Sequence, residues 1–139
     1  MIAIIRISGQ VDLSSDIKEG LHRLRLRRKY SATLIPPTLD NLKLLKKLRN
    51  NIAYGDINKE TLLDLIEKRA YPKESSKKIN AEKIVSELEK KDITKLDIKP
   101  FFRLHPPRGG IDAKKHFGVD KGVLGDNKDK INDLIRRML

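Results

Sequence analysis

The sequence of 139 residues contains no cysteine and no tryptophan, and only three tyrosines and three phenylalanines. The absence of cysteine excludes disulfides and thiol chemistry, and it fits a reducing, cytosolic compartment. No long hydrophobic run is present: the apolar stretch at residues 1–5 ends at Arg6, which is too short for a signal-peptide core or a membrane span. The sequence therefore predicts a soluble protein without a membrane partner.

Motifs of catalysis are also missing. His22, His105 and His116 are far apart, and no two of them have the spacing of metal ligands. There is no phosphate-binding loop of the GxxxxGK[ST] type and no nucleophile elbow. The sequence predicts no enzyme, no cofactor, no metal and no small-molecule substrate. An RNA-processing enzyme whose site is assembled in space from distant residues stays open as an alternative.

Positive charge is abundant, with 31 lysines and arginines against 19 acidic residues and a net charge of +12. The excess is uneven: residues 1–50 carry a net charge of +7, residues 51–98 are neutral, and residues 99–139 carry +5. A basic protein of this kind is typical of partners that are polyanions, most often nucleic acids. Two basic segments around a neutral one indicate a discrete binding surface rather than uniform attraction.

Hydrophobic periodicity predicts a β-α-β-α-β order for the first half of the chain. Residues 2–8 are apolar on both faces apart from Arg6, which favours a central strand. Further strands are predicted at residues 31–35 and 52–55. The first helix is capped by Asp12, Ser14 or Ser15, and the second starts at Thr38 or Asp40. The expected result is a small α/β sandwich with helices on one sheet face and a right-handed first crossover.

The second half predicts three more helices and further strands. Asn58 and Asn80 can cap two helices, and residues 128–139 have the apolar spacing of a third. Residues 101–104 follow Pro100 and have the pattern of a strand. Glycines at residues 118, 122 and 125 punctuate a hairpin-like stretch between that strand and the last helix.

Three groups of cations are candidates for contact with a polyanion. The first alternates leucine with five cations over residues 23–29, so that a helix end leading into a turn could bury Leu24 and Leu26 and point the arginines outward. Arginine suits phosphate because its planar fork donates two hydrogen bonds at once. An ordinary solvated helix end, where cations favour the helix dipole, is the competing interpretation. The five cations are Arg23, Arg25, Arg27, Arg28 and Lys29.

The second group surrounds the two prolines and two glycines of residues 105–110. The prolines fix a backbone shape, and the glycines allow close approach to a phosphate or a ribose. A plain turn with incidental charge is the alternative. The candidate residues of this group are His105, Arg108, Gly109, Gly110, Lys114 and Lys115. The third group lies on the predicted second helix and fits a normal exposed helix face equally well; it consists of Lys43, Lys46, Lys47 and Arg49.

Folded RNA is the nucleic acid that fits these features best. The few aromatic residues do not form the spaced pattern of a base-stacking sheet, so single-strand recognition by stacking is not expected. Folded RNA held through phosphates and 2′-hydroxyl groups needs no such pattern. A DNA-binding regulator is the main alternative, since the second and third helices could mimic a helix-turn-helix. Residues 50–57 between them are, however, longer than the usual turn of that motif.

Several stretches of the sequence resemble the L-thirty family of large-subunit ribosomal proteins. The earlier stretches match the compact bacterial-length core of the family, about residues 1–57, and the later ones match its longer archaeal and eukaryotic form. The FRLHPPRGG run is the most specific of them. The stretches are residues 2–7 (IAIIRI), 20–21 (GL), 24–28 (LRLRR), 32–34 (ATL), 102–110 (FRLHPPRGG) and 122–125 (GVLG).

The resemblance implies an α/β (α+β) fold, with a ferredoxin-like RNA-binding core at residues 1–57 and a helical and β-hairpin extension at residues 58–139 packed on it. It implies a structural role in the large subunit of the cytoplasmic ribosome, with large-subunit ribosomal RNA and neighbouring ribosomal proteins as partners, and no catalysis. The sequence begins without the long basic extension of eukaryotic members, which favours the archaeal type. The RNA-facing region of the family corresponds here to Arg25, Arg27, Arg28 and Lys29, and to residues 105–110.

Overall fold

The computed structural model of the chain describes residues 1–9, 11, 13–111, 113–119 and 122–139. These residues form a six-stranded mixed sheet with helices packed against it, so the fold is α+β with a ferredoxin-like core, as predicted. Within the described part, no helix is long and apolar enough to cross a lipid bilayer. The elements are β1 (Ile2–Arg6), α1 (Ser15–Arg23), β2 (Ser31–Ile35), α2 (Leu39–Leu48), β3 (Ile52–Asp56), α3 (Lys59–Arg69), α4 (Ala81–Leu88), β4 (Phe102–Arg103), β5 (Ala113–His116), β6 (Gly122–Asp126) and α5 (Ile131–Met138).

β1 lies inside the sheet, whose strand order is β4-β2-β1-β3-β6-β5. All of its residues are buried, as the apolar pattern on both faces predicts. It pairs antiparallel with both β2 and β3. The expected right-handed crossover between β1 and β2 is therefore wrong, because that rule governs parallel strands. The backbone N–H of Tyr30 donates to the carbonyl of Arg6 at 2.7 Å, so the chain enters β2 at the end of the sheet where β1 finishes.

Polar side chains cap the first four helices at positions that the sequence indicates. The side-chain oxygens of Ser14, Thr38, Asn58 and Asn80 each accept a hydrogen bond from the backbone N–H three residues further on. Asp12, another candidate for the first cap, lies outside the described residues. Each cap satisfies a backbone donor that a helix start leaves unpaired, which is why these local signals locate the helices well.

Helices cover both faces of the sheet. Ile2 and Ile4 belong to one hydrophobic cluster with α1 and α2, whereas Ala3 and Ile5 belong to a second cluster with α3, α4 and α5. The packing of α1 and α2 on one sheet face, predicted for the first half of the chain, is therefore confirmed, and the helices of the second half cover the other face. Both faces of β1 are covered because its successive side chains point to opposite faces and all are apolar until Arg6. Since α2 and α3 lie on opposite faces with β3 between them in the chain, they do not form the helix-turn-helix on which the DNA-binding alternative depended.

The C-terminal segment adds strands at both edges of the sheet. β4 pairs with β2, and β6 runs parallel to β3. β5 is the neighbour of β6, and the two strands run parallel. The hairpin-like stretch predicts antiparallel neighbours instead. The direction of β6 is set by β3, and β5 joins it through an irregular register between Ala113 and His116. The division at residues 57 and 58 stays a prediction; strands from both segments contribute to the sheet.

α5 begins at the end of the sheet where β3 finishes. A side chain on Gly55 would collide with the carbonyl oxygen of Lys128, and an ideal Cβ there would lie 3.0 Å from the Cβ of Ile131. The side-chain oxygen of Asn132, a residue that is 8% exposed, accepts from the backbone N–H of Asn58 at 2.9 Å. These contacts hold the start of α5 against β3, so that α5 runs back toward the opposite end of the sheet.

Arg6, the charged residue of β1, is 2% exposed. Its guanidinium donates to the carbonyl oxygens of Leu26 at 2.7 Å, Ser8 at 3.1 Å and Gly9 at 3.1 Å. Burial lowers the pKa of the Arg6 guanidinium from its usual value. Three carbonyl acceptors compensate for the water that the charge has lost, and only the fork of an arginine reaches all three. Arg6 therefore ties the segment before α1 to the loop after it.

We expect Arg6→Met to lower the free energy of unfolding by about 1–3 kcal/mol, because the buried carbonyl of Leu26 loses its donor. The carbonyls of Ser8 and Gly9 are only partly buried, and water can replace the guanidinium there. The free energy of unfolding of Arg6→Lys should lie between those of the unchanged protein and Arg6→Met, since an ammonium cannot hold three carbonyls in this arrangement. Urea unfolding curves measure the difference. A methionine variant as stable as the unchanged protein would show that the bond to Leu26 contributes no net stability.

Candidate nucleic-acid interface

One end of the sheet collects the cations that the sequence singles out. β1 finishes there and β3 begins there, since Arg6 pairs with Ile52. β2 begins and β4 finishes at the same end, where Ser31 pairs with Arg103. We term this the basic end; its members are residues 23–29, 46–49 and 103–110, together with Lys115 and Arg137.

The arginine loop, residues 24–30, starts with a Schellman motif at the C-terminus of α1. The N–H of Arg25 donates to the carbonyl of His22 at 3.0 Å, and the N–H of Leu26 donates to the carbonyl of Leu21 at 2.9 Å. Leu24 and Leu26 are 6% and 0% exposed, which confirms the prediction that the turn buries them. The exposed cations of the same loop are Arg25, Arg27, Arg28 and Lys29.

Arg25 holds the position of this motif that glycine usually takes. Its φ of 61° is left-handed, which costs a residue with a side chain roughly 1–2 kcal/mol. A strained residue that the surrounding hydrogen bonds maintain motivates a functional hypothesis. A glycine would complete the helix end with less strain, but it would leave no guanidinium at this exposed corner.

Two further cations at or beside the arginine loop, Arg23 and Lys29, have partners within the chain. Arg23, at the end of α1, forms an i,i+4 ion pair with Glu19 at 2.6 Å. Both side chains are largely exposed, so this pair contributes little to stability and leaves Arg23 able to exchange partners. The ammonium of Lys29 lies 5.0 Å from the ring centroid of Tyr30, a distance typical of a cation–π contact.

α2 ends at the basic end beside α1. The carbonyl of Asn51, just after α2, accepts from the backbone N–H groups of Ile7 and Ser8 at 3.0 and 3.2 Å. Gly20 of α1 packs against Leu48 of α2, whose side chain lies 3.1 Å from an ideal Cβ on the glycine. The exposed cations of this helix and its C-cap are Lys43, Lys46, Lys47 and Arg49.

The loop at residues 105–110 is anchored to the C-terminus of α5. The N–H of His105 donates to the carbonyl of Met138 and that of Arg108 to the carbonyl of Arg137, both at 2.9 Å. The guanidinium of Arg137 donates in return to the carbonyls of Arg108 and Gly110. Both Gly109 and Gly110 have left-handed φ angles, of 78° and 73°. The glycines and Pro107, which is buried, therefore shape the turn, while the side chains of His105 and Arg108 are exposed.

The lysines of β5 lie near the same end. Ala113 of β5 pairs with Gly122, the first residue of β6. Gly125, three residues further along β6, pairs with Ala53 near the start of β3, so β5 and β6 both begin near the basic end. Lys115 is exposed. Lys114 falls in β5, and its side chain lies outside the described part of the chain. All three predicted groups thus belong to elements that meet at one end of the sheet.

The fold adds residues to this surface that sequence reasoning missed. A groove of about 410 Å³ is lined by residues of the arginine loop and by Pro100, Phe101 and Arg103. Phe102 is 0% exposed, so its two neighbours point the other way, toward the groove. The alternation of exposed and buried residues at 101–104 was a usable signal, but the sequence does not tell which loop the exposed pair meets. Arg137 was likewise missed, because it acts through backbone carbonyls distant in sequence.

Known proteins provide a direct comparison. No family model matches the chain. It is 38% identical over 160 aligned residues to the large ribosomal subunit protein uL30 of Desulfurococcus amylolyticus, covering 100% of this chain and 98% of the relative. It is 36% identical over 154 residues to uL30 of Methanococcus maripaludis, covering 99% and 98% of the two chains. It is 36% identical over 154 residues to uL30 of Nanoarchaeum equitans, covering 100% and 99%.

The chain belongs to the uL30 family. The alignments run through both the first 57 residues and the C-terminal segment, which confirms the resemblance to the archaeal-type long form. The role in the large ribosomal subunit is therefore supported independently of the charge pattern.

Proposed function

We propose that this uL30 family member, a structural protein of the large subunit of the cytoplasmic ribosome, binds and stabilises folded ribosomal RNA through its basic end. The observation that carries the proposal is convergence: cations far apart in the sequence, from Arg23 to Arg137, belong to elements that meet at one end of the sheet. Neighbouring ribosomal proteins would contact other surfaces of the chain.

Phosphate binding is the chemistry that this arrangement supports. Arg25, Arg27 and Arg28 extend from a turn that backbone hydrogen bonds and the buried Arg6 hold in place. Guanidinium groups on a fixed support can engage several phosphates without first being ordered, so little conformational entropy is lost on binding. Contacts of this kind position a folded RNA by its backbone rather than by reading its bases.

The alternatives have less support. The DNA-binding alternative depended on a helix-turn-helix that α2 and α3 do not form. For the enzyme alternative, the comparisons name ribosomal proteins, which are not enzymes as a family. Among the described residues, no three histidine, aspartate or glutamate side chains come together as a metal site would require.

Crosslinking in intact ribosomes tests the proposal. Lysates are sedimented through a high-salt wash, which strips loosely bound proteins, and the chain should remain with the large subunit. Protein–RNA crosslinks should then involve residues of the basic end, such as Arg27, Lys47 and Arg108. Crosslinks confined to the opposite end, around α4 and the start of α3, would contradict the assigned surface while leaving the ribosomal role intact.

Arg25→Gly should separate stability from RNA binding. Relief of the left-handed strain, roughly 1–2 kcal/mol, is partly offset by the greater entropy of glycine in the unfolded chain. We therefore expect the free energy of unfolding to stay level or rise by up to about 1 kcal/mol. Loss of one charge-assisted contact should weaken RNA binding roughly 10- to 100-fold.

Thermal unfolding and filter binding to large-subunit ribosomal RNA measure the two effects of Arg25→Gly. Arg25→Lys is the matched control, since it keeps the charge and the left-handed strain. A glycine variant that binds RNA as tightly as the unchanged protein would mean that Arg25 is retained for some reason other than RNA.

A further inference from the structure

The groove at the basic end lies between two walls of different chemistry. One wall is the arginine loop, with Arg25, Arg27 and Arg28. The other consists of Pro100, Phe101 and Arg103, at the start of the edge strand β4. The guanidinium of Arg103 lies over the ring of Phe101, 5.8 Å from its centroid. Four arginines and one phenylalanine thus line the same concave space.

Both walls of the groove are held in place. The arginine loop is fixed by the Schellman motif and by the bond from Arg6 to the carbonyl of Leu26 at 2.7 Å. On the other side, the hydroxyl of Thr33 donates to the carbonyl of Pro100 at 3.0 Å. Phe102 between the two lining side chains is completely buried and anchors the strand. The groove is therefore a preformed feature, and a ligand need not order it.

The size and surface of the groove select the ligand. Its volume of about 410 Å³ lies in the range of pockets for small organic groups, roughly 300–1,000 Å³, and is too small for a duplex. A phosphate alone would use the guanidinium groups but not the ring. A flat group that carries a phosphate would use both, because nucleic acid bases stack on aromatic rings and on arginine guanidinium planes.

We infer that this groove receives one unpaired nucleotide of the bound RNA, with its base stacked on the Phe101–Arg103 pair and its phosphate bound by the arginine loop. The inference rests on the proposed RNA-binding function and specifies it further. Among the described residues, no strand carries a row of aromatic side chains that would stack several bases, so the chain holds a single unpaired nucleotide within an otherwise folded RNA.

Three RNA hairpins of identical stem sequence test the inference with the full-length chain. The first carries a single bulged 2-aminopurine, the second an abasic site at the bulge, and the third has the 2-aminopurine paired in the stem. We expect the bulged base to be bound roughly 5- to 100-fold more tightly than either control, the range that stacking of one base provides. Its fluorescence should fall on binding, because the base stacks on a ring.

Substitutions at the ring separate stacking from charge. Phe101→Leu should abolish most of the preference for the bulged base, while Phe101→Tyr should keep it. Phe117→Leu is the matched control, since Phe117 is 41% exposed and lies beside β6, toward the sheet edge opposite β4. Arg103→Lys should reduce the preference in part, because the charge remains but the planar surface is lost. Circular dichroism of each variant confirms that the fold is kept.

Each outcome of this test has a defined meaning. Equal binding of the bulged base and the abasic site would mean that the groove holds phosphate only, and this would overturn the inference. Equal binding of the bulged and paired hairpins, or a preference that survives Phe101→Leu, would overturn it as well. None of these results contradicts the proposed function. That function fails only if the chain does not remain with large subunits, or if its crosslinks avoid the basic end.

Discussion

Replacement of Arg25, Arg27 and Arg28 together by alanine should weaken binding to large-subunit ribosomal RNA by about a thousandfold or more, with the fold retained. Each charge-assisted hydrogen bond to a phosphate contributes roughly 1.5–3 kcal/mol. Three such contacts amount to about 4.5–9 kcal/mol, although contacts within one cluster are not strictly additive. Even the lower value corresponds to a factor of about a thousand in affinity.

The fold should survive the triple replacement because the buried parts of the loop are spared. Leu24 and Leu26 remain in the core, and the hydrogen bonds of the Schellman motif use backbone atoms only. Exposed charges contribute little to stability, and alanine at Arg25 keeps the left-handed strain at about its present level. Melting temperature and circular dichroism should therefore change little.

Two further proteins serve as controls for the triple replacement. Lysine at all three positions should recover only part of the affinity, since the charge returns but the bidentate fork does not. Alanine at Lys90 and Lys91, which are exposed after α4 at the far end of the sheet, should change RNA affinity little. If the alanine triple variant binds RNA normally, the arginine loop is only a solvated helix end. If it unfolds, these arginines have a structural role that the present contacts do not explain.

Local chemistry made much of the fold predictable. Ser14, Thr38, Asn58 and Asn80 each cap a helix through a hydrogen bond to a residue three positions away, so the information lies within a few residues. The central position of β1 was also predictable, because a strand that is apolar on both faces must be covered on both. The alternation of leucine and arginine after α1 gave the buried and exposed residues of the arginine loop correctly.

Long-range pairing accounts for what the sequence did not reveal. The antiparallel pairing of β1 with β2 depends on where the loop after α1 returns the chain, which the hydrophobic pattern of either strand leaves open. Leu42 fits the apolar arc of α2 by spacing, yet it is 38% exposed, whereas Leu45 and Leu48 of the same helix are buried in the cluster with α1.

The candidate site likewise has features that the local sequence predicts and features that depend on long-range pairing. Each group of cations was visible as a local cluster, but their convergence follows from the sheet order and from the direction of α5. Phe101 and Arg103 became relevant only because β4 pairs with β2 and so faces the arginine loop. The absence of a regular row of aromatic residues in the sequence makes stacking of several successive bases unexpected, but one ring in a groove can still stack one base.

Salt should affect RNA binding more than any single substitution does. Because bound phosphates release condensed counterions, engagement of six to ten phosphates would lower affinity roughly 10³- to 10⁵-fold between 50 and 200 mM salt, by analogy with duplex DNA. The basic end has enough exposed cations for this number, including those of the arginine loop, α2 and the loop at residues 105–110.

The slope of the salt titration also tests which residues contact phosphate. Each lost phosphate contact should reduce the slope of log affinity against log salt by roughly 0.9, so the alanine triple variant should lose about 2.7 from it. The lysine triple variant should keep nearly the full slope while binding more weakly, because counterion release depends on charge and the fork adds hydrogen bonds. Filter binding at five or six salt concentrations, with the Lys90 and Lys91 variant as the reference, measures all three slopes. A nearly flat titration for the unchanged protein would contradict phosphate-dominated binding, and equal slopes for the unchanged and alanine proteins would place the phosphate contacts elsewhere on the surface.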